Sequence, residues 1–204
     1  MWSPASPNPV VHPLVLASAS PRRAALLRQV GLPHVAVAAE VDEAVPGTLP
    51  PREAVQVIAQ RKARALPTGP WVLAADTLGD LDGRALGKPE GPREAVAMLL
   101  SLQDRSHLVH TGLVVRHVPS GREWSRVETT RVTFAPLTAQ QAEAYVATGE
   151  PLGKAGAYAI QGIAGAYVTR LEGDYYNVMG LPLAATLALL EEAGYPLPVH
   201  LRPA

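Results

Sequence analysis

The chain of 204 residues contains no cysteine, which excludes disulfides, a thiolate nucleophile and any cysteine-ligated metal centre. Charge is scarce and balanced: charged residues make up 18%, and 18 Lys and Arg offset 18 Asp and Glu. Zero net charge argues against a dedicated binder of nucleic acid or of an anionic membrane surface, while leaving room for a local basic pocket. No apolar run approaches the ~20 residues that a membrane-spanning helix needs. Met1 to Pro13 lacks a positively charged start and is broken by four prolines, so it does not read as a secretory leader. With no cysteine beside it, this leads us to expect a cytoplasmic protein. The six histidines are scattered without metal-ligand spacing. His107 and His110 lie three apart in a strand-like segment, so they face opposite sides. No Walker-type G-x-x-x-x-G-K-[ST] loop occurs. What is present is 48% hydrophobic residues and 20 prolines, the composition of a globular chain with stiff loops. There is no internal repeat, low-complexity tract or linker, and we expect a single domain over residues 1–204.

The elements read in order as an α/β protein. Val10 to Leu16 is an apolar, β-branched strand, and the small residues Ala17 to Ala19 follow it. Ser20 at an N-cap and Pro21 at the first helical position predict a helix that runs through Val30 and stops at Gly31. His34 to Ala38 reads as a strand, and Pro51 to Leu66 as a helix whose last turns carry Arg61, Lys62 and Arg64, suited to the negative end of its dipole. Trp71 to Ala75 is a short buried strand that delivers Asp76 and Thr77 at its end, and Asp82-Gly83-Arg84 is a tight hairpin turn. Pro92 to Leu102 is a helix, and Leu108 to Val118 pairs with Trp124 to Phe134 as a long antiparallel hairpin. Thr138 to Thr148 is a helix with a capping box from Thr138 and Gln141. Gly153 to Gly165 is an ordered glycine-rich loop, Ala166 to Leu171 a strand, and Leu183 to Ala193 an apolar helix closed by Gly194. Strands and helices in this order predict a long, twisted, mixed sheet flanked by helices.

Several segments are polar or glycine-rich where a core would want apolar residues. Ser20-Pro21-Arg22-Arg23 sets free helix-start amides beside two guanidinium groups, with no acidic residue anywhere before Glu40. That describes a phosphate site, and equally a well-capped surface helix with solvated arginines. Asp42 and Glu43 cannot both face solvent in an extended segment, and a carboxylate beside a phosphate site suits a divalent cation; an exposed acidic loop fits the same residues. Asp76 directly follows an apolar strand, where ligands of open α/β sheets bind, so it is placed as a metal ligand, a general base or a simple turn cap. Thr77 adds a hydroxyl. Lys88, between Gly87 and Pro89, is a point charge on a stiff loop, and Lys62 and Lys154 are further cations; all three also suit a solvated surface. Gln161 ends a glycine-rich run in which backbone can approach a flat ligand, and its amide can read a base edge with donor and acceptor together. In Glu172-Gly173-Asp174-Tyr175-Tyr176-Asn177 the acids read as loop-ordering first.

Taken together, seven segments in order resemble the Maf family of nucleoside triphosphate pyrophosphatases: L-A-S-A-S-P-R-R (16–23), D-E (42–43), K-A-R-A (62–65), A-A-D-T (74–77), G-K-P (87–89), G-E-P-L-G-K-A-G-A-Y-A-I-Q-G (149–162) and E-G-D-Y-Y-N-V-M-G-L-P (172–182). The resemblance implies an elongated α/β fold related to the inosine triphosphate pyrophosphatases, with two lobes around a cleft, a homodimer, and a divalent cation, Mg²⁺ or Mn²⁺. It implies hydrolysis of a nucleoside triphosphate to the monophosphate and pyrophosphate. Asp76 matches the base that activates water, and Glu43, with Asp42 beside it, the acidic position that helps hold the metal together with Asp76. Ser20, Arg22, Arg23, Lys62 and Lys88 match positions around the triphosphate. The Gln161 motif resembles the branch that takes dTTP and UTP, with Arg22, Thr77 and Gln161 at the specificity positions. Two positions depart from that branch: Gly153 stands where Asp is usual, and Gly79 where an apolar residue is usual.

The reading that follows is a metal-assisted dTTP and UTP pyrophosphatase. The alternative is a nucleotide-binding regulator that inhibits septum formation with little turnover. Asp76, Glu43 and Lys88 favour the enzyme, because a pure binder has no use for a base beside a metal.

Overall fold

Strand and helix boundaries follow the expected punctuation closely in the computed structural model, which describes residues 14–44 and 49–203. The expected strand start at Val10, and Pro46 and Gly47 of the following loop, lie outside the described residues. In chain order the elements are β1 (Leu14–Ala17), α1 (Pro21–Gln29), β2 (His34–Val37), α2 (Pro51–Ala65), β3 (Trp71–Leu81), β4 (Arg84–Leu86), α3 (Pro92–Leu102), β5 (Ser106–His117), β6 (Arg122–Phe134), α4 (Ala139–Ala147), β7 (Val168–Glu172), α5 (Tyr175–Met179) and α6 (Leu183–Ala193). They form one seven-stranded mixed sheet in the order β2-β1-β3-β5-β6-β7, with β4 paired to β3. The β2-β1-β3 portion is parallel and the remainder antiparallel. Among the described residues no helix is long and apolar enough to cross a membrane.

Two differences from the expected elements matter for the site. Strand β3 runs for 11 residues instead of stopping at Ala75. Its ladder with β5 continues from Trp71↔His117 to Asp80↔Leu108, and those inter-strand hydrogen bonds hold Asp76 and Thr77 in mid-strand despite their polarity. The Asp82-Gly83 turn then returns the chain into β4, both residues having positive φ (54° and 84°), the conformation of a type I′ hairpin. The second difference is α5, a five-residue helix that begins in the segment read as a loop ordered by its acids. Asp174 caps it by accepting from the N–H groups of Tyr176 and Asn177, so the acid orders the backbone as expected.

Alternation along the strands puts apolar residues on both faces of the sheet. Val72, Ala74 and Val114 pack against Ala59, Ala63 and Leu66 of the α2 segment, while Leu73, Ala75, Leu113 and Val115 pack against α1 and α6. A separate core around Leu99, Val132, Phe134, Tyr145 and Tyr158 fills the space among α3, α4, the far ends of β5 and β6, and the glycine-rich segment. Helix α2 lies unusually close to the sheet at Gly112, where an added Cβ would sit 2.5 Å from the Val55 carbonyl oxygen. Only glycine permits that approach, and Gly112 is the direct partner of Asp76 across the β3–β5 ladder. The contact therefore fixes the height of α2, and with it Lys62, above Asp76.

Candidate functional site

The site is a gap in the sheet. On one edge of β3, strand β1 pairs only with Val72 and Leu73, and β4 pairs only from Gly79 onward. Between these neighbours, the β3 edge from Ala75 to Leu78 faces a cleft of about 290 Å³. Successive side chains of a strand point to opposite faces, so Asp76 and Thr77 enter the cleft from two sides. Asp76 therefore lies just past the carboxyl end of parallel β1, in the middle of its own strand. The cleft wall is completed by residues 17–23, by Glu43, Lys62 and Lys88, and by the glycine-rich segment from Gly153 to Gln161.

One end is built from opposed charges. The Lys62 ammonium, on a side chain only 6% exposed, donates to Asp76 Oδ1 at 2.6 Å and meets Glu43 Oε1 at 2.8 Å. Lys88, on its exposed loop, holds the other Glu43 oxygen at 2.7 Å. Burial alone would push the Glu43 carboxyl up, but the hydrogen bonds and charges of Lys62 and Lys88 outweigh it and hold it at about 2. Opposite stands the start of α1. Ser20 occupies the expected N-cap, yet its side chain makes no capping hydrogen bond. Its own N–H donates to Ser18 Oγ at 3.1 Å. The expected cap is thus not made, which leaves first-turn amides of α1 available at the cleft wall, where the helix dipole favours an anion. Arg22 reaches over this wall, its Nε making a 3.4 Å contact with the Met179 carbonyl, and burial lowers its pKa.

The other end is apolar and glycine-rich, lined by Val109, Tyr158, Val178 and Met179, with Gln161 at its exposed rim. Its floor is a hydrogen-bonded chain. The buried Arg23 donates from Nε to the Gly180 carbonyl (2.8 Å), from Nη1 to Ser18 Oγ (3.2 Å) and from Nη2 to Thr77 Oγ1 (3.1 Å). Thr77 lies 2.9 Å from Thr111 Oγ1, which donates to the Asn177 carbonyl at 3.1 Å. The loop above is tied to its own stem. Glu150 accepts from Tyr145 Oη at 2.7 Å and from the Ile163 N–H at 3.1 Å, while Tyr145 Oη accepts from the Ala159 N–H at 3.2 Å. Lys154 turns back to the Glu150 carbonyl, and burial followed by Arg22 lowers its pKa.

Of the residues singled out in the sequence, Ser20, Arg22, Arg23, Glu43, Lys62, Asp76, Thr77, Lys88 and Gln161 all line this one cleft. Asp42 does not. Its carboxylate accepts from the Ala44 N–H at 2.8 Å on the exposed loop, so of the acidic pair only Glu43 turns inward. Arg23 is a strut between α1, β3 and Gly180, in contrast to the accessible cation that the Arg-Arg pair suggested. Ser18, Glu150 and Asn177 lie within segments quoted from the sequence but were given no individual role, and Thr111 and Tyr145 lie outside them; Thr111 and Asn177 find partners 66 and 68 residues away. At Gly153 the backbone φ is +72°, a left-handed conformation that favours glycine, and among the described residues nothing lies within 4 Å of an added Cβ. At Gly79 an added Cβ would press on Leu86 at 3.1 Å, so the glycine fits the close β3–β4 pairing.

Asp76 and Glu43 offer hard carboxylate oxygens from two elements that one Lys62 ammonium already brings together. Two carboxylates with room for phosphate oxygens and water fit Mg²⁺ or Mn²⁺, which bind through few protein ligands. Among the described residues no three His, Asp or Glu side chains converge as an all-protein cage.

Comparison with known proteins extends over most of the chain. The solved Ham1 protein of Staphylococcus aureus is similar over 60% of this chain and 71% of its own, at a TM-score of 0.42 and 16% identity. The dTTP/UTP pyrophosphatase of Moorella thermoacetica is 51% identical over 180 residues, 87% of this chain and 93% of its own. That of Symbiobacterium thermophilum is 50% identical over 187 residues, 90% of this chain and 95% of its own. The family model for Maf-like proteins matches residues 13–193, spanning every residue that lines the cleft, and the chain belongs to that family.

Proposed function

We propose that this chain hydrolyses dTTP and UTP, and by extension modified pyrimidine triphosphates, to the nucleoside monophosphate and pyrophosphate. The observation that carries the reading is the Lys62 bridge, which sets Asp76 and Glu43 at the cationic end of a cleft whose other end suits a flat base. The names of the half-identical relatives supply the substrate class.

In this mechanism the triphosphate lies against the first-turn amides of α1, Ser20, Arg22, Lys62 and Lys88. Of these, the helix amides and Lys62 are fixed before the reaction, so they stabilise charge that grows on the phosphate oxygens without having to reorganise. Water attacks the α-phosphorus, and Asp76 takes its proton. Lys62 holds Oδ1 of that carboxylate, which orients the other oxygen toward the attacking water. Pyrophosphate leaves from the Arg22 and Lys88 side. Asp76 and Glu43 are the residues that would hold Mg²⁺ or Mn²⁺, which when bound supplies Lewis-acid neutralisation of the phosphate oxygens. Asp42 has no part in this, since its carboxylate is committed to the loop.

The test is a release assay with purified protein, Mg²⁺ or Mn²⁺, and a panel of triphosphates, separating pyrophosphate from orthophosphate. Pyrophosphate with dTMP or UMP is the expected result. Orthophosphate release, or turnover restricted to purine triphosphates, would contradict the reading. A cytoplasmic homodimer belongs to the same reading, and sedimentation of the purified chain tests the dimer.

A further inference from the structure

Thr77 presents a hydroxyl to the base end of the cleft, and the direction of its proton decides what it can recognise. Thr111 sits directly opposite across the β3–β5 ladder and is fully buried. Its single proton goes to the Asn177 carbonyl, an acceptor only, at 3.1 Å. The 2.9 Å contact between the two threonines must then carry the Thr77 proton. On its other side Thr77 receives a proton from Arg23 Nη2 at 3.1 Å, and a guanidinium can only donate. Just one arrangement gives every contact a proton: Arg23 to Thr77, Thr77 to Thr111, Thr111 to Asn177. Any other leaves two oxygens facing each other at 2.9 or 3.1 Å with nothing between them, in a buried place where an unmade hydrogen bond is costly.

We propose that Thr111 is a positioning residue for base selection: by taking the Thr77 proton it leaves Thr77 only a lone pair to offer the ligand. An acceptor there pairs with the imide N3–H of uracil or thymine and repels N3 of cytosine, which carries a lone pair of its own. Arg23 and the Asn177 carbonyl fix the two ends of the relay, and α5 matters because it delivers that carbonyl. The inference rests on the pyrimidine triphosphate reading above and assigns the selection to a residue that does not line the cleft.

The test compares kcat/KM for UTP and CTP in the wild-type protein, Thr111→Val and Thr111→Ser. Valine keeps the shape of threonine but accepts no proton, which frees the Thr77 hydroxyl to donate into the cleft. The UTP-to-CTP preference falls roughly tenfold in Thr111→Val, mostly through a gain for CTP, and survives in Thr111→Ser. An equal loss on both substrates in Thr111→Val, with the preference unchanged, would show a merely structural role and overturn the inference. A second measurement needs no variant: wild-type protein turns over N3-methyl-UTP at least roughly tenfold less efficiently than UTP, because the donor is gone. Equal efficiency on the two overturns the inference even if Thr111→Val does not fold. Wild-type protein that releases no pyrophosphate from UTP would instead overturn the functional reading itself, and this inference with it.

Discussion

A lysine between two carboxylates does two things at once, and Lys62 does both. It neutralises Asp76, whose side chain is only 10% exposed, and it draws Glu43 in from a loop. Lys62→Met removes the shared partner and leaves a nearly buried carboxylate uncompensated. We expect a stability loss of about 3 kcal/mol by urea denaturation, and at least a roughly 100-fold loss in kcat/KM. His107, buried behind the cleft-lining Tyr158, gives a second prediction. Burial lowers its pKa from 6.5 to about 4, and its ring meets Tyr158 at 2.9 Å in an otherwise apolar core. The unfolded chain therefore binds a proton between pH 6.5 and 4 that the folded chain does not. The stabilisation is fully present above pH 6.5 and declines as pH falls toward 4, by at most about 3 kcal/mol. In His107→Phe this slope flattens, which urea titrations at a series of pH values read directly. Most cleft residues were legible in the sequence because polar and glycine-rich segments interrupt an apolar pattern. Thr111 was not, since a threonine in a strand is ordinary and its importance lies in Asn177, 66 residues away. Nor does any local feature say that of two adjacent arginines Arg23 turns inward while Arg22 faces the cleft.

At the scale of elements, the cleft depends on two pieces of backbone held to close tolerances. The first is α2 against β5. Gly112→Ala places a Cβ 2.5 Å from the Val55 carbonyl oxygen, so the helix must lift and Lys62 with it. We expect a loss of about 2 kcal/mol in stability, with a fall in kcat exceeding any change in KM. The second is the glycine-rich segment, whose anchor is Tyr145 and Glu150. Tyr145→Phe removes the donor to Glu150 and leaves the Ala159 N–H without a partner, at a cost of about 1–3 kcal/mol. This loop lines the cleft at the end assigned to the base in the proposed function, so KM for the nucleotide should rise several-fold while kcat changes little, a split that steady-state kinetics resolves. Element boundaries carried by caps and breakers were readable: the Thr138–Gln141 capping box is made, and α3 and α6 begin and end where proline, leucine and glycine placed them. The length of β3 was not, because its second half is stabilised by a ladder with β5 that only the folded chain brings together.

For the molecule as a whole, composition and alternation pointed to a mixed α/β sheet flanked by helices, but strand order was beyond their reach. The order matters, since the cleft exists only because β1 and β4 share one edge of β3 and leave Ala75 to Leu78 between them uncovered. Long strands β5 and β6, of 12 and 13 residues and so roughly 40 Å in length, run past this gap and join the core under α1 and α6 to the core around Tyr145 and Phe134. The cleft walls come from both ends, which suits a ligand with a charged chain at one end and a flat ring at the other. The most direct check on this account is pyrophosphate release from UTP by wild-type protein and by Asp76→Asn, with Mg²⁺ present and nucleotide binding measured in parallel. The account predicts release by the wild type and a kcat at least roughly 100-fold lower in Asp76→Asn, with binding largely kept. Full turnover by Asp76→Asn would contradict it.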